Sequence, residues 1–319
     1  MTAHEDPLPA GLAARPLTPA DLDLVFSVYA AAELEDAGIL AIEREDIAGD
    51  WARPSFTLAT DSIGVFEGDR PVGAAEVTRG GARAEGAVLP AARGRGIGSF
   101  LAGWTEATAA RMGASTVGQN APEGSTADNF LVHRGYRLAH TAWVLELPEG
   151  RTLPERPLPE EYEITTLAGD RLERRAHRVV QDAFGEWEGR SPESFEDWAA
   201  TTVRRPGTQP WQLRLVVTGA GADDVVGVCF TILDGAGCGY VHQLAVDRAH
   251  RGLGLGQALL ADGFGRAREH GAVRSELSTD SRTGALDLYL KVGMEVTHTW
   301  AHRVTDLGDR STRGAALSS

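Results

Sequence analysis

Two glycine-rich segments, Ala92-Arg93-Gly94-Arg95-Gly96-Ile97-Gly98 and His250-Arg251-Gly252-Leu253-Gly254-Leu255-Gly256, stand 158 positions apart. The separation then holds without a gap: Gly135 is matched by Gly293, His140 by His298 and Thr141 by Thr299. Chance similarity of two glycine patches would not keep register over that distance, so the chain is a tandem duplication. Each half must then bury a core of its own, which suits a chain of 319 residues, because single cores stop growing at roughly 250 to 300. Pro148, Pro154, Pro157 and Pro159 fall in one short stretch that neither helix nor strand ladder tolerates. The expected organisation is a first domain over 1–147, a proline-rich linker over 148–159, a second domain over 160–309, and a polar, disordered tail over 310–319.

Hydrophobic periodicity reads both halves as alternating strands and helices, an α/β pattern. In the second half it predicts strands over 162–166, 212–218, 225–233, 239–246, 275–279 and 296–303. Helices are predicted over 171–184, 194–203 (entered at Ser191-Pro192) and 285–292, with another running from the second glycine segment to Gly271. The first half repeats the order, with a hairpin from Gly64 to Gly73.

Composition removes several functions. With 31 Lys+Arg against 45 Asp+Glu the net charge is −14, and such a surface repels phosphate backbones, so nucleic acid is not an expected partner. No apolar run reaches the ~18 residues of a membrane span, and the acidic N-terminus is unlike a signal peptide; a cytoplasmic location is expected. Cys229 and Cys238 are too few for a disulfide scaffold or a cysteine zinc site, the histidines lack ligand spacing, and no metal is expected. The only lysine, Lys291, follows Leu290, which rules out a P-loop.

A strand ending at Val246, then a loop, then a helix opening at the glycine segment offers backbone N–H donors with little side-chain cover, a ready site for phosphate oxygens. A dinucleotide fingerprint needs a third glycine where Ser99 and Gln257 stand. The spacing in both halves is R-x-x-G-x-G. On these residues the sequence resembles the GNAT N-acetyltransferases, and the resemblance covers nearly everything outside the linker and tail. It implies two tandem GNAT-like domains of α/β (α+β) class, each a mixed, mostly antiparallel sheet flanked by helices. It also implies acetyl-CoA as co-substrate. The matching cofactor positions are Arg251, Gly252, Leu253, Gly254, Leu255, Gly256 and Gln257, with Arg93, Gly94, Arg95, Gly96, Ile97, Gly98 and Ser99 in the first half. Backbone groups of Leu244 and Val246 match those that pair with the pantetheine arm.

The resemblance further implies an acid at Tyr289, which protonates the departing sulfur; the first half has Leu131 there. Where relatives place a base glutamate this chain has Tyr240, and His242 follows one alternation along the same face. Their counterparts at the constant separation are Ala82 and Ala84, so the first domain is expected to be catalytically degenerate. Arg282 stands where the family often has an asparagine, and reads as a solvated charge. Phe184-Gly185-Glu186-Trp187-Glu188-Gly189 occupies the acceptor-loop position, and Glu33, Glu35 and Asp36 read as a solvated face. Trp51, Trp198, Trp211 and Trp300 read as packing residues. The expected activity is transfer of acetyl from acetyl-CoA to a primary amine of a small molecule, by direct attack in the second domain. Two alternatives stand beside it: acetylation of a cysteinyl aminoglycoside, as in one tandem branch of the family, and a CoA-binding sensor without turnover.

Overall fold

The computed structural model describes residues 6–154, 156–167, 169–186, 192–219 and 224–308. The chain divides into two units, one holding residues up to Thr141 together with those from Trp300 onward, the other Ala142–Thr299. Among the described residues no helix is long and apolar enough to cross a membrane.

In the first unit, β1 (Ala13–Arg15) leads to α1 (Leu22–Ala37), α2 (Arg44–Trp51) and α3 (Leu58–Asp61). The hairpin β2 (Ser62–Glu67) and β3 (Arg70–Thr78) follows, then β4 (Arg83–Val88), α4 (Ile97–Arg111), β5 (Thr116–Pro122) and α5 (Thr126–His133). Antiparallel ladders join β1 to β2, β2 to β3 and β3 to β4, whereas β4 meets β5 in parallel. Helices α1 and α2 cover one face of this sheet around Val25, Ile47 and Phe66, and α4 covers the other around Ile63, Ile97 and Leu101.

The second unit begins inside β6 (Arg137–Leu147) and continues through β7 (Tyr162–Thr166), α6 (Asp170–Gly185), α7 (Phe195–Thr201), β8 (Leu213–Thr218), β9 (Asp224–Leu233) and β10 (Cys238–Val246). After the second glycine segment come α8 (Leu255–Glu269), β11 (Arg274–Asp280), α9 (Leu286–Lys291) and β12 (Glu295–Asp306). Ala176, Val179, Val180 and Ala183 recur at helical spacing and seat α6 on one face of the sheet with the fully buried Trp198. Leu255, Leu259 and Phe264 seat α8 on the other. With both faces covered, β9 is buried from Val225 to Ile232, an uninterrupted rather than alternating pattern. Gly227 brings α8 close, since a Cβ there would stand 2.9 Å from Leu259 Cδ1.

Two features depart from the sequence expectation. The expected boundaries at 147 and 309 ignore a strand exchange: residues 142–147 of β6 pair with β11 in the second unit, while residues 300–306 of β12 pair with β5 in the first. Each exchanged segment covers the outer edge of a parallel pair, which would otherwise be left with open backbone donors and acceptors. The proline-rich stretch is not a free spacer either. Leu153 is buried in the α8-side core and Leu158 packs against it, so the prolines belong to the second unit. The expected tail, Arg310–Ser319, lies outside the described residues.

Candidate active site

The second glycine loop is built from its backbone. Gly252 and Gly254 hold φ of +80° and +83°, a region that only glycine adopts without strain, and α8 starts directly behind Gly254. Gly94 and Gly96 hold +75° and +87° ahead of α4. Both loops thus turn the first N–H groups of a fifteen-residue helix toward an approaching anion. The motif arginines, counted among the cofactor positions from sequence, are engaged within the protein. Arg251 Nε donates to Val246 O at 3.1 Å and its Nη1 to Glu186 Oε2 at 2.8 Å. Arg93 repeats this, with Nε on Val88 O at 3.4 Å and its two terminal nitrogens on Asp36 at 2.9 and 2.7 Å. Each arginine therefore braces its loop against the strand end and the preceding helix, and Arg251 holds the Glu186 carboxyl below its ordinary range. A positive charge beside the second loop comes from Arg156, whose Nη1 lies 3.4 Å and Cδ 3.1 Å from where a Gly254 Cβ would sit. Arg156 belongs to the stretch expected from sequence to be a linker.

Past the loop, β10 and β11 run parallel only from Cys238↔Arg274 to Val241↔Leu277, then part. The gap exposes the edge of β10 that carries Leu244 and Val246, with room for an extended chain to add its own hydrogen bonds. A bulge falls at the same point. Val241 faces Thr231 and Gln243 faces Phe230, so His242 is an extra residue without a partner position on β9. It reverses the faces: Val241, Leu244 and Val246 point to the α8 side, while Gln243 and Ala245 point to the α6 side. Tyr240 and His242 share the α6 side as expected, their rings 6.3 Å apart, with His242 edge-on to Phe230 at 6.0 Å. Tyr240 donates to Ser278 Oγ at 2.8 Å across the gap. Tyr289 lies on the opposite, α8 side, packed in one apolar cluster with Leu244, Val246 and Leu255. Burial, with Cys229 nearby, pushes its phenol up to about 12, so it keeps its proton throughout the neutral range. The sheet thus carries a protonated phenol on its α8 side and an imidazole on its α6 side.

With that geometry in hand, the likeness to known proteins is specific. Residues 173–294 match the acetyltransferase (GNAT) family. The mycothiol acetyltransferase of Nocardia farcinica is 31% identical over 229 residues, covering 68% of this chain and 72% of that protein. The chain belongs to the GNAT acetyltransferase family. A GCN5-related N-acetyltransferase from Sphaerobacter thermophilus superposes with a TM-score of 0.71 at 29% identity, covering 94% of this chain and 97% of that one. A tandem GNAT protein from the clavulanic acid biosynthesis pathway shares the fold, with a TM-score of 0.70 at 18% identity over 93% of this chain and 99% of that one. This chain is accordingly an acetyl-CoA-dependent N-acetyltransferase in the tandem two-domain form, and each unit has the mixed, mostly antiparallel sheet expected.

As a GNAT protein the chain has two loops of one design but unequal surroundings. In the first unit β4 and β5 pair only at Arg83↔Gly118, and a cavity of about 400 Å³ runs from Gly94, Gly96 and Ser99 through this gap to Ala32 of α1. Leu131 lines it where the second unit has Tyr289. Sheet register corrects one correspondence. Tyr240 lies opposite Ile232 and beside Glu276, as Arg83 lies opposite Thr78 and beside Gly118, so Arg83 rather than Ala82 is its counterpart. His242, being the bulged residue, has no counterpart, because the ladder of β4 with β3 runs without a bulge.

Several other expectations change on contact with the structure. Arg282 is not simply solvated; it is clamped to Asp280 at 2.6 Å. Asp36 holds Arg93, and Glu33 accepts the backbone N–H groups of Ala41 and Ile42 at 2.8 Å each, so both are structural. The helix at 195 is capped by Ser194, which accepts from Asp197 N at 3.0 Å. Ser191, and Trp187-Glu188-Gly189 of the acceptor loop, lie outside the described residues. Sequence reading also missed Gln243, whose Oε1 accepts from the buried Trp198 Nε1 at 3.0 Å. Two adjacent polar residues, His242-Gln243, inside an apolar strand were the available signal.

Proposed function

We propose that the second unit moves the acetyl group of acetyl-CoA to the primary amine of a small molecule by direct attack, with His242 taking the proton of the amine and Tyr289 protonating the departing sulfur. The observation that carries this reading is the pairing of a bulged, titratable His242 on one side of the β10/β11 gap with a protonated Tyr289 on the other. The loop N–H groups of α8, with Arg156 beside them, suit the pyrophosphate, and the open edge at Leu244 and Val246 suits the pantetheine arm. A thioester carried by that arm arrives where the strands part. There an amine nitrogen forms its bond to the carbonyl carbon as the carbon–sulfur bond breaks. One ammonium proton passes to His242 beforehand, the Tyr289 phenol supplies the proton that ends on sulfur, and the second proton that leaves the nitrogen as the amide forms restores the phenol by way of solvent. Tyr240, anchored on Ser278, fixes the wall beside His242. The first unit keeps a loop of the same form but has Leu131 at the acid position, and we assign it no part in this transfer.

The similarity to mycothiol acetyltransferases favours one finer reading, a mycothiol synthase-type acetylation of a cysteinyl aminoglycoside. Against it stands Tyr240, which occupies the place of that branch's base glutamate.

The test is CoA thiol release from acetyl-CoA with pooled amines, including amino sugars, polyamines, amino acids and cysteinyl aminoglycosides, on wild type and Tyr289→Phe. The phenol makes no hydrogen bond among the described residues, so the variant should fold normally. Its turnover should fall on the order of 10- to 100-fold. Unchanged turnover would remove Tyr289 as the acid. No release with any pool, in a sample that binds acetyl-CoA, would favour the sensor reading.

A further inference from the structure

The first unit carries a group of charges that its glycine loop does not use. Glu76 of β3 is only 6% exposed, and its Oε1 accepts from Trp51 Nε1 at 2.7 Å. Among the described residues no cation pairs with it. Glu85 stands directly across the ladder and is held by Arg83 at 2.6 Å, while Asp50 of α2 is held by Arg53 at 2.7 Å. Two arginines thus answer two of the three carboxylates, and the deepest is left over. Beside them the hydroxyl oxygen of Tyr29, on α1, is wholly buried and has no hydrogen-bond partner. Burial pushes the pKa of that hydroxyl well up, and the fields of Glu76, Glu85 and Asp50 add to it. Without a cation, burial keeps the Glu76 carboxyl protonated, and the Tyr29 hydroxyl stays buried without a partner; one cationic donor would satisfy the hydroxyl and pair with Glu76 as the carboxyl gives its proton up to solvent.

We propose that this pit is a binding site for the ammonium group of a small primary amine, with Glu76 as its counter-ion and the Tyr29 oxygen accepting one of its hydrogens. Solvent reaches the neighbouring Arg83–Glu85 and Arg53–Asp50 pairs, in which Arg83, Glu85 and Asp50 are 35%, 41% and 35% exposed. The site adjoins the first unit's cavity. Ala87 lies two residues along β4 from Glu85, roughly 7 Å away on the same face. Ala32 lies one helical turn beyond Tyr29, and both alanines line the cavity that leads to Gly94 and Gly96. An amine anchored in the pit therefore extends its remainder toward the loop. This inference does not rest on the reading of the second unit.

Trp51 provides a local reporter, because its indole N–H points at Glu76. In the amide–indole NMR spectrum of the full chain, its resonance is assigned with Trp51→Phe and followed during titration with n-propylammonium chloride, against n-propanol and matched sodium chloride. The expected result is a saturable shift with the amine alone. Glu76→Gln, whose amide oxygen can still accept from Trp51, should weaken it at least tenfold, and Tyr29→Phe should weaken it severalfold; the second variant serves if the first does not fold. A Trp51 resonance that stays still to 100 mM amine, or moves equally with propanol or salt, overturns the proposal. So does a shift that both variants retain unchanged, and the second unit's Trp198 reports any binding there separately.

Discussion

Replacing Glu76 with glutamine should change how the stability of the first unit depends on pH, in a direction and size that the structure fixes. Burial holds the Glu76 carboxyl up at about 8 against an ordinary 4.5, with the negative fields of Glu85 and Asp50 adding to it and the Trp51 hydrogen bond opposing. Below the ordinary value the group is protonated folded and unfolded, and titration contributes nothing. Above it the unfolded chain releases the proton while the folded unit retains it until about 8, so wild-type stability falls across that window. The slope is at most ~1.4 kcal/mol per pH unit, which gives on the order of 3 to 5 kcal/mol over the whole interval. Glutamine does not titrate. The variant should therefore gain on wild type by about 1 kcal/mol for each unit between pH 5 and pH 8. Urea unfolding followed by the Trp51 indole resonance, at four pH values, measures the first unit without assuming that both units unfold together. A stability difference that is flat with pH, or that moves against the variant as pH rises, would refute the burial argument.

Three further outcomes follow from contacts in the two units. Gln243→Leu leaves the Trp198 indole N–H buried without an acceptor and should cost roughly 1 to 3 kcal/mol in urea unfolding of the second unit. Arg251→Ala removes the brace between the loop, Val246 and Glu186, and should raise KM for acetyl-CoA severalfold while leaving kcat within about twofold, measured by thiol release. Ending the chain at Thr299 strips the first unit of the strand that pairs with β5 and of the Arg303 contact to Asp128. Hydrogen exchange of Val117 and Ala121 should then accelerate by at least a hundredfold.

Much of this fold was legible because local periodicity and turn chemistry decide it. The glycine loops, the helices behind them and the strand at Tyr162–Thr166 lie where the sequence puts them, since each rests on neighbours in the chain. The strand exchange was not legible: apolar alternation marks residues 142–147 and 300–306 as strand but says nothing of which edge they cover. Constant numbering likewise hid the bulge, because an added residue in β10 shifts the register of Tyr240 while the glycine motif downstream keeps its spacing. In the candidate site, Tyr289 and the loop glycines were readable from motif position. The bracing role of Arg251 was not, because its partner Glu186 is 65 residues away. Glu76 left a trace in the sequence, a lone acid inside the apolar run Val72 to Val77, and its neighbours Tyr29 and Asp50 emerge only in three dimensions.

The central claim, that acetyl transfer runs in the second unit on its own glycine loop, is tested most directly by amine-dependent CoA release from Gly254→Glu. A carboxylate there sits at φ +83° against the N–H groups meant for the pyrophosphate. A loss of at least a hundredfold in kcat/KM for acetyl-CoA is expected, with the Trp198 indole resonance of the folded second unit retained. Turnover near that of wild type in such a folded variant would contradict it.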